Sequence, residues 1–254
     1  MTYFQITLAF IFVIIPLVMS SVLKLGLEKD IIIAAVRSTI QLMIIGYILT
    51  FVFDGNHPIY MLLMILLMIT AATQNIIKKG EGIKGITWKI VLTLIIVEAL
   101  TIGILTSFNI IPFEPRYIIP ISGMMIGNAM VLSLLFLNRF LSELDQNDEQ
   151  IELILSLGGT PKQAIHQVLM TSIKNSMIPT IESTKTMGLV QLPGMMSGQI
   201  IGGADPLVAA QLQLLIIFLL MTAATLSSVL VGFLSYPTLF NTRAQYIGKY
   251  YKTE

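Results

Sequence analysis

The sequence predicts an all-α integral membrane protein of about seven transmembrane helices, with its N-terminus outside and its C-terminus in the cytoplasm. Three observations predict it. The chain is 55% hydrophobic and only 11% charged, with a mean hydropathy of +0.85, whereas soluble domains carry roughly 25% charged residues. Thr2–Leu23 and Tyr117–Asn138 hold no charge, and Pro206–Thr242 is a longer uncharged run; about 20 apolar residues of helix cross a bilayer core. Basic residues, finally, alternate from one connection to the next. Most soluble functions are excluded, and any activity has to work from a membrane position.

The spans read, in order, as about 3–23, 31–53, 58–77, 88–108, 117–139, 175–194 and 207–236, in one polytopic domain covering 1–254. The first run lacks a basic flank and a small-residue cleavage site, so it reads as a retained span rather than a signal peptide. Lys24 and Lys29 follow the first span, and Lys78, Lys79, Lys84 and Lys89 surround the third connection. Arg139, Lys162 and Lys174 lie in the fifth, and Arg243, Lys249 and Lys252 follow the last span. In the alternate connections only Arg116 is basic. The positive-inside bias gives the orientation. There is no cysteine, which excludes disulfides, thiolate metal sites and a thiol redox couple.

The connection at about 140–174 is long and charged. Ile151, Ile154 and Leu155 recur at helical spacing behind Asp145, Asp148, Glu149 and Glu152, which predicts an amphipathic helix. Gly158-Gly159 suits a left-handed C-terminal cap. Thr160-Pro161-Lys162-Gln163 then restarts a helix, with Thr160 as N-cap, Pro161 at the first helical position and Gln163 completing a capping box. The loop is therefore a shaped helix–turn–helix on the cytosolic side.

Several polar groups fall within the spans. A carboxylate at the depth of Glu98 is costly and needs a partner or a proton; it is either a cation or proton site or a buried structural carboxyl. Arg37 and Gln41 form an i, i+4 pair on the second span, with snorkelling as the structural alternative. Glu182 and Lys185 can pair on one helix face near the middle of the sixth span, just after Pro179, as a self-neutralised pair or as a gate. The segment from Leu192-Pro193-Gly194 through Gln199 to Gly203 cannot be a plain helix, and broken helices of this kind line transport paths. Gly123 and Gly127 form a small-x-x-x-small patch suited to close helix packing, with Asn128 able to add an interhelical hydrogen bond. Met124, Met125, Met195 and Met196 are the clustered thioethers that could ligate a soft metal, although methionine is also a flexible core filler. Gly80 to Gly85 matches G-x-G-x-x-G, but it follows a membrane helix rather than a strand. No nucleotide site and no catalytic constellation is present in the sequence, so the chain reads as a transport subunit and not an enzyme, with no cofactor of its own.

Glu152, Gly158 and Val168-Leu169-Met170 resemble the coupling motif of ABC-transporter permeases, with Leu153-Ile154 and Thr171 departing from it. Longer segments resemble one family, the permease subunits of iron-export ABC transporters (Fet-type permeases), to which plant aluminium-tolerance membrane proteins are related. They are Glu114–Pro120 running into Gly123, Gly127 and Asn128; Leu157–Thr160 with Ala164; and Ile178–Thr180, Gly188–Val190 and Leu192–Ile200, on to Gln213. Arg37, Gln41 and Gly46-Tyr47 also fit. The sequence departs from that family at Gly159, where alanine is usual, and at Glu182 and Lys185.

The resemblance implies a plasma-membrane, multi-pass permease, a homodimer paired with an ABC-type ATPase that binds ATP-Mg, exporting metal (iron). Glu152, Gly158, Gly159, Thr160 and Pro161 are then the coupling residues. Glu98, Asn128, Gly194, Gln199, Arg37, Gln41, Glu182 and Lys185 are the path candidates. The competing expectations are a proton-coupled secondary transporter working through Glu98 and a non-transporting membrane scaffold. No nucleic-acid partner is expected.

Overall fold

A computed structural model describes residues 11–55, 57–78, 83 and 85–247. The Gly-rich stretch around 79–84 falls largely outside them, as do Thr2–Phe10 of the expected first span and Lys249 and Lys252. Among the described residues the chain is helical: α1 (Ile11–Val22), α2 (Glu28–Gly55), α3 (Pro58–Ile77), α4 (Ile86–Ser107), α5 (Pro115–Gln146), α6 (Asp148–Ser156), α7 (Pro161–Thr186), α8 (Gly194–Ile201) and α9 (Pro206–Ser235), followed by a 3-10 turn at Tyr236–Leu239. Five helices are long and apolar enough to cross a membrane, namely α2, α3, α4, α5 and α9 with its following turn; α1 is shorter but apolar.

The chain divides into two compact units, Met1–His57 and Pro58–Glu254. In the first, α1 ends where Lys24 takes φ 51° and the Leu25 amide reaches back to the Ser20 carbonyl at 2.9 Å. The Ser20 hydroxyl accepts from the Leu27 amide at 3.1 Å and donates to Glu28 at 2.8 Å, which ties the start of α2 to the end of α1.

In the second unit α5 is the central helix, packed against α3, α4, α7 and α9. Its inward residues include Ile118, Met125, Ala129, Phe136 and Phe140, all buried, and the two phenyl rings stack with centroids 5.2 Å apart. Met68 lies against Gly123 and the Asn75 amide nitrogen lies 3.4 Å from the Met130 sulfur. Both pairs share one register, so α3 and α5 run parallel. Asn128 meets Leu220 and Phe136 meets Gly232, so α9 runs the same way. Ser176 meets Ser228 while Leu169 meets Gly232, so α7 runs antiparallel to α9.

Small residues let α9 approach closely: Ala223, Ala224, Ser227, Ser228 and Gly232 are all buried. The Gly123–Gly127 patch behaves differently. A side chain at Gly123 would meet Met68 only at ordinary contact distance, and one at Gly127 would meet nothing, so the close approach expected there is made instead at Gly232.

The sequence reading put the coupling loop at about 140–174 and the sixth span at 175–194. In the structure α5 continues to Gln146, and α7 is one helix from Pro161 to Thr186 that runs on through Pro179. No residue between Ala164 and Met177 breaks the hydrogen-bond ladder, so the second loop helix and the sixth span are a single rod. The irregular backbone falls at 187–193 and 202–205, and the segment expected to be broken from Leu192 to Gly203 holds the short helix α8 between them.

A β-carbon at Gly232 would sit 2.8 Å from Leu169 Cδ1 and 2.9 Å from Phe136 Cζ. Gly232→Ala should therefore lower stability by about 1–3 kcal/mol through overpacking. The cost should shrink in a Leu169→Ala background, measured by thermal unfolding in detergent.

Candidate coupling surface and transport path

The turn between α6 and α7 is built from local backbone chemistry. Gly158 takes φ 87°. Its amide donates to the Leu155 carbonyl at 3.0 Å and the Gly159 amide to the Ile154 carbonyl at 2.9 Å, which is a Schellman C-cap. A β-carbon at Gly159 would fall 2.5 Å from Ile154 Cγ2 and 2.7 Å from the Ile154 carbonyl oxygen, so here the glycine is required by the branched side chain and carbonyl beneath it. Thr160 then caps α7: its side chain accepts from the Gln163 amide, Gln163 returns an acceptor to the Thr160 amide at 2.8 Å, and Pro161 stands in the first turn. The C-cap, the N-cap and the capping box all stand where the sequence reading put them.

Glu152 is exposed on α6. Beside it, Leu153 and Leu157 are 57% and 79% exposed, while Ile151 is buried. The helix thus anchors by one isoleucine and presents two leucines.

At its other end α7 forms a second site. Asn128 Nδ2 donates to the Leu220 carbonyl at 2.9 Å, the interhelical bond the sequence allowed. Around it lies a cavity of about 240 Å³ lined on α5 by Asn128, Val131, Leu132 and Leu135, on α9 by Ile217 and Leu220, and on α7 by Pro179, Thr180, Ser183 and Thr184, with Met187 beyond. Asn128 and Leu220 lie near the midpoints of their helices, so α7 ends at the mid-depth of the bundle. Gly188, at φ 88°, closes the turn with its amide on the Gln191 carbonyl at 2.9 Å. Ser183 Oγ donates to Gln191 Oε1 at 3.3 Å.

At the same level, on the far side of α7, Lys185 Nζ and Glu182 Oε1 pair at 2.7 Å with side chains 62% and 60% exposed. The pair predicted from i, i+3 spacing forms, in the last turn of α7 and facing away from its own bundle. The following Leu189, Val190 and Leu192 are exposed too. Gly194 opens α8, and Gln199 sits half-buried on it with its side-chain oxygen shielded from solvent and without a partner among the described residues.

The remaining candidates lie elsewhere. Glu98 is buried on α4, within interaction range of Ser122 on α5. Neither group has a well-formed hydrogen bond among the described residues, and Glu98 does not line the Asn128 cavity. Arg37 and Gln41 share the wall of a 420 Å³ hollow on α2 with Ile32, Ile33, Val36 and Ile40. Met125 is buried in the core, while Met124, Met195 and Met196 are partly exposed. Among the described residues no three His, Asp or Glu side chains gather in a way that could hold a metal ion. The sequence reading missed Thr180, Ser183 and Thr184, although their i, i+3, i+4 spacing beside Pro179 marks one polar helix face.

The fold and these surfaces define a multi-pass α-helical membrane protein in which a structured turn joins α6 to the bundle helix α7. Residues 3–240 match the model of the Uncharacterised protein family (UPF0014), and the chain belongs to that family. It is 54% identical over 245 residues to the UPF0014 membrane protein YjkA of Bacillus subtilis (strain 168), covering 96% of this chain and 98% of that one. It is 37% identical over 243 residues to the "Probable iron export permease protein FetB" of Escherichia coli (strain K12), covering 96% and 94%. Identity to the protein ALUMINUM SENSITIVE 3 of Arabidopsis thaliana is 33% over 237 residues, covering 93% and 87%. No solved structure matches.

Thr160→Ala should remove the capping box and cost about 1 kcal/mol, seen as faster amide exchange in the first turn of α7. Thr160→Ser should retain the protection.

Proposed function

We propose that this chain is the membrane half of an ABC exporter, with a second copy completing the path and a separate ATPase subunit supplying ATP-Mg at the cytosolic face. The relative named as an iron export permease supports metal, and iron first, as the transported substrate.

One observation carries the reading. The Glu182–Lys185 pair is exposed at mid-depth, on the same unbroken helix that begins at the capped turn. A charged pair at that depth is costly against lipid and normally faces a water-filled path or another protein surface. The uncovered α7–α8 face is therefore read as the seam between two copies, with the path running along it.

The turn at Leu157–Pro161 is the handle. Glu152, Leu153 and Leu157 engage the ATPase. Gly158, Gly159, Thr160 and Pro161 keep the handle rigid on α7. A helix of 26 residues at 1.5 Å per residue is about 39 Å long, enough to carry displacement from the cytosolic face to the bundle midpoint. Closure of the ATPase pair moves this rod, and the Thr180–Thr184 face and the Gly188 turn move with it. Asn128 holds α5 to α9 at the cavity while α7 shifts. Gly194 and Gln199 lie on the short helix that follows the turn.

Reconstitution of the chain with its ATPase in vesicles, following ATP hydrolysis and iron flux together, tests the reading. Expected is ATP-dependent movement of iron away from the nucleotide side, lost in Leu157→Asp. ATP-independent flux driven by a proton gradient would overturn it. That alternative has its own support in Glu98, buried with both carboxylate oxygens lacking a partner among the described residues. Glu98→Gln should abolish proton-coupled flux but leave ATP-driven flux.

The chain has no cysteine, so a single Leu189→Cys reports cleanly on pairing. Two copies should cross-link through it in membranes, and absence of dimer on oxidation would move the seam away from this face.

A further inference from the structure

The last described segment is not a trailing end. Beyond the 3-10 turn the chain folds back on itself at Phe240–Ile247. The Asn241 side-chain oxygen accepts from the Arg243 and Gln245 amides, both at 2.9 Å. Its Nδ2 donates to Gln245 Oε1 at 2.7 Å, and the Ile247 amide returns to the Leu239 carbonyl at 2.8 Å. Phe240 and Tyr246 form an antiparallel bridge, and their rings lie 5.7 Å apart. Ala244 takes φ 60° to close the turn, a conformation strained for a residue with a β-carbon.

This hairpin faces the start of α6: the Tyr246 phenol lies within interaction range of the carboxylate of Asp148, the first residue of that helix. Burial, followed by the neighbouring Asp148 carboxylate and the charges of Asp145 and Glu152, pushes the phenol well above its ordinary range, so it stays protonated and able to donate. Between hairpin and helix lies a cleft of about 410 Å³. Its walls are Glu152, Leu155, Ser156 and Gly159 on one side and Arg243 to Tyr246 on the other. The exposed Leu153 and Leu157 directly follow the wall residues Glu152 and Ser156 in the chain.

We propose that the Phe240–Ile247 hairpin is part of the ATPase-docking surface, and that its cleft against α6 receives a basic side chain of the ATPase subunit. Charge favours that occupant: Asp145, Asp148 and Glu152 all act on Tyr246 in the cleft wall, against Arg243 as the one cation among the described residues of that wall, and Glu152 supplies an acceptor there. The polar ends of Ser156 and Gln245 complete the grip, and the Leu155 and Tyr246 side chains flank an aliphatic stem. Tyr246 acts as a positioning residue, holding the second wall in place. The inference rests on the reading of α6 and its turn as the coupling element.

The test uses the full chain in lipid nanodiscs and the ABC-type ATPase that copurifies with it from membranes, identified by mass spectrometry and then purified separately. Leu157→Asp tests the coupling element; Tyr246→Phe and a photo-cross-linking residue at position 243 test the hairpin. Expected are loss of binding in Leu157→Asp, roughly tenfold weaker binding in Tyr246→Phe at unchanged unfolding temperature, and an ATPase adduct at position 243. Full affinity in Tyr246→Phe with no adduct, while Leu157→Asp fails to bind, overturns the hairpin's role and leaves the coupling reading intact. Wild-type binding by Leu157→Asp, or no copurifying ABC-type ATPase, overturns both.

Discussion

The close contact of α7 with α9 is the constraint on which the larger unit depends. Ser176 meets Ser228 at 3.2 Å and Leu169 lies over Gly232, so two helices approach where larger side chains would hold them apart. α7 is poor in large apolar residues and rich in Ser, Thr, Lys and Gln. Such a helix stays in an apolar bundle only if its polar groups are satisfied locally or packed against small residues. Ser172 bonds back to the Val168 carbonyl at 2.7 Å and Thr184 to the Thr180 carbonyl at 2.8 Å. Away from this contact α7 exposes both the Glu182–Lys185 pair and the apolar Met170, Ile178 and Ile181.

The parts legible in the sequence were those specified by a few adjacent residues. Gly158 and Gly159 predict a left-handed cap, and Thr160-Pro161 with Gln163 predict a capped helix start, because each acts on backbone groups within its own turn. The apolar runs gave α3, α4 and α9 nearly residue for residue, since hydrophobic length is a property of the run itself. The continuity of α7 was not legible in this way. Its first half reads as loop by charge and its second as span by apolarity, and only the absence of a breaker between Ala164 and Met177 joins them. Nor did the sequence separate the fates of Gly123, Gly127 and Gly232. Close approach depends on which face a neighbouring helix occupies, and that is tertiary information. The hairpin at Phe240–Ile247 escaped notice because its Asx-turn chemistry at Asn241 serves a partner segment, α6, about ninety residues earlier in the chain.

The two membrane carboxylates illustrate why residue type and depth do not by themselves assign a role. Glu98 and Glu182 both fall within stretches read as spans. Glu98 is enclosed by the core beside Ser122 and lies outside the wall of the Asn128 cavity. Glu182 is neutralised by Lys185 and turned outward. For a buried carboxyl the inexpensive state is the protonated one, and a structural role asks nothing more. An outward-facing ion pair, with side chains 62% and 60% exposed, is not enclosed by the core in that way. It needs water or another protein surface, so Glu182 and Lys185 support the proposed seam more strongly than Glu98 supports a proton or cation site.

The proposed second copy would also account for where α7 stops. A helix that crossed the whole bundle would meet only lipid and its own chain, with no irregular backbone exposed. Here the ladder ends at Thr186 and the turn at Gly188 leaves Leu189, Val190 and Leu192 uncovered at mid-depth. Non-helical backbone at such depth is tolerated where protein or a water-filled cavity satisfies its polar groups. The turn satisfies part of its own requirement through the Gly188–Gln191 and Val190–Thr186 bonds. What remains is a side-chain problem: exposed apolar residues in the turn, and an exposed ion pair at the end of the helix that leads into it. Lipid suits the first and water the second, whereas a second copy of the same face, meeting it about a two-fold axis, offers leucine to leucine and charge to charge. A transport path bounded by two such faces would have its polar stripe along α7 and its apolar rim along the turn, and the capped rod behind it would move both together.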